Sequence, residues 1–121
     1  MIVVTWHLVR PSPSDWLPGL KAMTPEALEG QLRHLAAHHE MIAPQRLLDG
    51  LARGERLPAN SCVLTFDDGS AGQHDHVLPI LERLGLRAFF FVPTSIVEDR
   101  RVPVVEKQRV LQYGSDAYAA F

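Results

Sequence analysis

The chain has 121 residues, 46% of them hydrophobic, a formal net charge of −2 and one cysteine. That length gives one domain with a real core but is small for an enzyme barrel, and no cluster of Lys and Arg marks a nucleic-acid binder. Cys62 has no partner for an internal disulfide and lies in an apolar run, so it reads as a small core residue rather than a nucleophile.

Ile2 to Trp6 reads as a short β-branched buried strand. The run Ile2-Val3-Val4 is broken by Thr5 and His7, too short for a signal h-region or a membrane span. As written, the chain is therefore expected to be cytoplasmic, with no membrane partner. A loop with Pro11, Pro13 and Pro18 follows. Thr24-Pro25-Glu26 then carries three agreeing helix-start signals: a capping hydroxyl, a proline suited to the first position and an acid at the positive dipole end. Leu28, Leu32 and Leu35 recur at helical spacing as one apolar stripe.

Met41 to Ala43 is expected as a short strand and Pro44 to Ala52 as a second helix, ended near Gly54. Ser61 to Phe66 is the next strand. Val77, Leu78, Leu81 and Leu84 give the apolar face of a helix that Gly85 terminates; Pro79 makes it start late or kink. Ala88 to Val92 is apolar on both faces, the pattern of a parallel strand covered on each side. Pro103 to Tyr113 is read as a helix, Gly114 as a stop and Ser115 to Phe121 as the start of another. Arg100, Arg101, Lys107 and Arg109 fit a solvated face. Strands alternating with helices indicate an α/β fold with parallel pairing.

The chemistry centres on Thr65-Phe66-Asp67-Asp68-Gly69, where an apolar strand ends in two carboxylates and a glycine. The C-terminal ends of parallel strands are where α/β proteins place their chemistry. Neighbouring strand residues point to opposite faces, which predicts separate tasks for Asp67 and Asp68. Taken alone, the pair could equally cap the next helix.

This pentapeptide, followed by a helix and then by Ala88-Phe89-Phe90-Phe91-Val92-Pro93-Thr94, resembles the first half of a NodB-type polysaccharide deacetylase. Thr5-Trp6-His7 resembles the strand-end Tyr-His of many members, and Met23-Thr24-Pro25-Glu26 with Leu28 and Leu32 resembles the helix after it. The likeness covers roughly residues 1–97 of a single domain, with 98–121 poorly matched. It implies a partial (β/α) barrel of about four parallel strands with flanking helices, and hydrolysis of an N- or O-acetyl group on a carbohydrate. It further implies Asp67 as general base and Asp68 as ligand of a divalent metal, zinc being the usual ion. A backbone N–H after Phe91 or Val92 would stabilise the oxyanion. His7 ends the first strand on the rim of Asp67 and is the further catalytic candidate; within about 8 Å it could bond an aspartate or substrate.

The sequence departs from the family after the Phe-rich strand. The family completes its metal site there with two histidines, whereas all six here, His7, His34, His38, His39, His74 and His76, come earlier. His34 and His38 share a helix face at a spacing that can bind zinc, but they flank the Leu stripe as solvated residues. His74 and His76 are two apart, hence on different faces of a helix. A single carboxylate holds a divalent ion poorly, since catalytic zinc usually has three protein ligands. The expectation is a chain lacking the second half of the site, with little or no activity alone.

The rival reading is a non-catalytic deacetylase-like remnant or interaction module. A magnesium-dependent phosphoryl-transfer enzyme ranks third, because no Gly-x-x-x-x-Gly-Lys occurs and Lys21 and Lys107 are the only lysines. Four strands cannot close a barrel of about seven or eight. Some element must cover Phe89 to Val92, either Val102 to Phe121 folding back or, as the favoured expectation, a second copy of the chain; a missing C-terminal half would serve as well.

Overall fold

A computed structural model describes residues 1–11, 22–98 and 107–108. In chain order it shows β1 (Ile2–Trp6), α1 (Pro25–His38), β2 (Glu40–Met41), α2 (Pro44–Ala52), β3 (Ser61–Asp67), α3 (Leu78–Leu84), β4 (Phe89–Phe91) and α4 (Thr94–Glu98). All strand pairings are parallel. β3 carries β1 along one edge, from Ile2↔Cys62 to Trp6↔Phe66. That edge being filled, β2 and β4 must share the other: β2 at the start of β3 and β4 at its end, with Asp67 opposite Phe91. The fold is the α/β class with parallel strands and flanking helices.

The core lies on one face of this sheet. Trp6, Leu64 and Phe66 point into it and meet Leu28 and Leu32 of α1 and Ile80 and Leu81 of α3. Phe66 is fully enclosed and stacks at 5.2 Å on both Trp6 and Phe90. Burial of one such ring stabilises by about 2–3 kcal/mol. The indole N–H of Trp6 is satisfied by Gln31 Oε1 at 3.0 Å. The start of α1 follows its sequence signals: Thr24 Oγ1 accepts from the Ala27 N–H at 3.2 Å, and Pro25 sits in the first turn. Glu29 ties α1 to α3 by accepting from Arg83 at 2.6 Å and from Arg33 at 2.7 Å.

Helical backbone runs from residue 71 to 84 and is distorted ahead of Pro79 rather than starting late. The Pro79 ring would crowd the carbonyl four residues back and has no N–H to donate there, so an α-helical ladder cannot run through this point. The chain makes a π-helical turn over Gln73–Val77 instead, closed by Leu78 N–H to Gln73 O, and α3 begins at Leu78. Gly85, at φ +66°, ends α3; the Leu86 and Gly85 N–H groups bond the Leu81 and Glu82 carbonyls in a Schellman arrangement.

Two strands are shorter than their patterns suggest. β2 stops at Met41, because the chain must turn from the sheet before Pro44 opens α2, although the Ile42 N–H still reaches Cys62 O at 2.8 Å. β4 stops at Phe91, since Pro93 has no N–H for a further rung and α4 starts at Thr94. Phe91 is 55% exposed, so among the described residues the Phe-rich strand is not covered on both faces. The loop around Pro13 and Pro18, and the helices read over Pro103 to Tyr113 and from Ser115, lie outside the described residues apart from a helical Lys107–Gln108. Among the described residues no helix is long and apolar enough to cross a membrane.

Candidate functional site

Parallel register decides which side chains meet. Trp6 and Phe66 are partners and both face the helices, so the next residues, His7 and Asp67, turn to the other face at the C-terminal rim. There the His7 Nε2 lies 3.7 Å from Asp67 Oδ2, with both side chains partly open to solvent. This is inside the distance expected from sequence. The separation is longer than a hydrogen bond, and a small motion or one water closes it.

Asp68 corrects the expectation that the two carboxylates point apart. Regular strand geometry ends at Asp67, and Asp68 takes φ +76°, the only non-glycine residue with positive φ among those described. The left-handed turn takes Asp68 out of the strand alternation, and Asp67 and Asp68 line the same open groove of about 1110 Å³. Gly69, at φ +60°, completes the turn. A Cβ there would lie 2.8 Å from Val92 Cγ1, so only glycine lets the segment after β4 close on the aspartates. Of the two segment-end donors considered for an oxyanion, Pro93 has no N–H, which leaves the Val92 amide.

The groove floor is formed by the strand residues in step with Asp67: Val3, Thr5, Val63, Thr65, Phe89 and Phe91. The Thr5 and Thr65 hydroxyls bond each other at 2.7 Å, and Thr65 can also donate to Val4 O. Leu47 and Leu48 of α2 form part of one wall. The groove is thus apolar below and acidic at its rim.

The remaining histidines do not join Asp68. His34 and His38 are exposed on α1, their rings 4.2 Å apart, and His34 lies beside Val4 and Trp6, away from the aspartate groove. His39 Nδ1 bonds Asn60 Oδ1. His74 Nδ1 pairs with its neighbour Asp75 at 2.8 Å in solvent, and His76 lines a cleft with Glu29 and Arg83. Among the described residues no three His, Cys, Asp or Glu side chains converge to hold a metal ion. These residues alone do not make the three-ligand site that catalytic zinc requires. Burial raises the Cys62 thiol above its usual range, so it stays protonated and inert, as its core position suggested.

Sequence reasoning missed Gln73. It is 2% exposed, and its side-chain amide donates to the carbonyls of His7, at 2.8 Å, and of Asp67. The Thr5–Thr65 pair was also missed, because it depends on the register between distant strands.

Residues 54–115 match the polysaccharide deacetylase family model, and the chain belongs to that family. Among solved structures it is similar to a de-N-acetylase from Aggregatibacter actinomycetemcomitans, at 23% identity and TM-score 0.66 over 85% of this chain and 40% of that one. It is similar to IcaB from Ammonifex degensii, at 30% identity and TM-score 0.62 over 75% of this chain and 37% of that one. The Streptococcus pyogenes deacetylase PplD, solved in complex with acetate, matches at 18% identity and TM-score 0.65 over 93% of this chain and 52% of that one. The chain thus spans about half or less of each of these proteins. No curated protein sequence matches it.

Proposed function

We propose that this chain carries the aspartate-bearing part of a carbohydrate deacetylase site, which hydrolyses an N- or O-acetyl group on a sugar. The observation that carries the reading is the Asp67–His7 pair at 3.7 Å on the strand-end rim, in a member of the deacetylase family. Asp67 takes the proton of the attacking water as its oxygen bonds the acetyl carbonyl carbon. Breakdown of the tetrahedral adduct releases acetate and a sugar amine or alkoxide, which must gain a proton. His7, within reach of the same Asp67 carboxylate, is placed to supply it. The Val92 amide is the proposed oxyanion donor.

Asp68 is proposed as one ligand of a divalent ion, zinc by family resemblance, whose bound form would lower the pKa of a water. The other ligands would come from outside these 121 residues, since no histidine follows His76. Turnover by the 121-residue chain alone is therefore expected to be very low. That no metal triad forms among the described residues favours the second reading, a deacetylase-like module without catalysis.

The native gene product separates the two readings. Its intact mass shows whether more polypeptide accompanies this chain, and acetate release from an N-acetylated sugar oligomer measures activity. Activity that needs a divalent ion and falls about 100-fold or more in Asp67→Asn supports the base assignment. Turnover unchanged by that substitution removes Asp67 from catalysis.

A further inference from the structure

Regular pairing of β1 with β3 ends at Trp6↔Phe66, one residue short of the two rim side chains. At this point a single buried side chain takes over. Both amide hydrogens of Gln73 Nε2 are donated, one to His7 O at 2.8 Å and one to Asp67 O. The amide orientation is set by chemistry, since two carbonyls can only be met by the NH2 end. One rigid group thus spans the two strand ends whose side chains approach to 3.7 Å.

Two further observations show that the helix entrance is shaped around the segment leaving β1. A Cβ on Gly72 would lie 2.0 Å from Val9 O, a backbone atom that cannot move aside, so residue 72 must be glycine for this approach. Val9 itself is fully buried and held beside Met23 by the Arg10 N–H to Met23 O and Met23 N–H to Leu8 O bonds. Gln73 also heads the π-helical turn, a distortion that redirects side chains and recurs at functional sites. Its Oε1 is buried without a hydrogen-bond partner among the described residues, a cost that a side chain kept only for packing would avoid.

We propose that Gln73 is a positioning residue, whose amide sets the separation of His7 and Asp67 by bridging their backbones. The proposal rests on the deacetylase reading only in giving that pair a shared task. It predicts that loss of the amide uncouples His7 from Asp67 while the fold survives.

The test uses the 121-residue chain with isotope-labelled histidine, its His7 ring resonance assigned through His7→Gln, at one fixed pH. Asp67→Asn displaces this resonance in the otherwise wild-type chain. In a Gln73→Met background, which keeps length but removes the donors, the displacement is expected to shrink to less than about half, with His34 and His38 resonances unmoved. An equal displacement in both backgrounds overturns the proposal. Should circular dichroism show Gln73→Met unfolded, Gln73→Asn is read the same way. Its amide sits about 1.5 Å short of the two carbonyls, and an undiminished displacement again overturns the proposal. The readout does not depend on turnover, so an inactive native gene product would count against the deacetylase reading and leave this comparison standing.

Discussion

The two faces of the sheet differ most at its edges, since the central strand β3 is buried on both until Asp67. Trp6, Cys62, Leu64 and Phe66 are closed in by α1 and α3, with stacked rings and almost no solvent. On the other face Val3 and Phe91 are more than half exposed, and the groove they line ends at Asp67 and Asp68. The helix-covered face holds the fold together; the other face carries the proposed site. A site on the open face can therefore be altered with little loss of stability, while its geometry is inherited from strands anchored on the far side.

The largest expected effect breaks this comparison if it fails. Phe66→Ala should destabilise by about 3–5 kcal/mol, because it removes a ring stacked between Trp6 and Phe90. Phe91→Ala, on the open face, should cost under about 1 kcal/mol. Urea denaturation measures both. A Phe91 cost approaching that of Phe66 would mean that the groove is covered in solution, as the expected self-association would do, and sedimentation over a concentration series would then show a larger species.

A smaller effect concerns the outer side of α1. Gly30 is exposed mid-helix and a Cβ there meets nothing within 4 Å. Gly30→Ala should raise stability by about 0.5–1 kcal/mol through reduced backbone entropy in the unfolded chain. A loss instead would show that another body packs against Gly30, Val4 and Trp6, and that this side is less complete than it looks.

The smallest effect is electrostatic. Hydrogen bonds from Arg33 and Arg83 hold the Glu29 carboxyl below the usual carboxylate range. A folded-state value below the unfolded one gives stability that is fully present above the ordinary carboxylate pKa and is lost as pH falls through the lowered folded value. Glu29→Gln should therefore lower the melting temperature slightly at neutral pH, and the difference from wild type should vanish in acid. A difference that persists in acid would assign the link between α1 and α3 to packing rather than charge.

Much of this protein is written locally. The Thr24 cap, the Leu28–Leu32 stripe, the αL stop at Gly85 and the apolar run into Asp67 each depend on a few neighbouring residues, so periodicity and turn chemistry reveal them. The Asp-Asp-Gly and the Phe-rich strand likewise carried the family before any coordinates. Other features are set by contacts that no local pattern contains. The register of β1 on β3 joins residues some 60 positions apart in sequence, and it brings Thr5 to Thr65 and carries His7 towards Asp67. A positive φ at Asp68 takes it out of the strand alternation, and both aspartates line one groove. Gln73 looks like any polar residue near a helix start until the ends of two strands converge on its amide. Propensity acts over a few residues of chain, whereas the spacing of the side chains in the candidate site is a property of how distant segments pack.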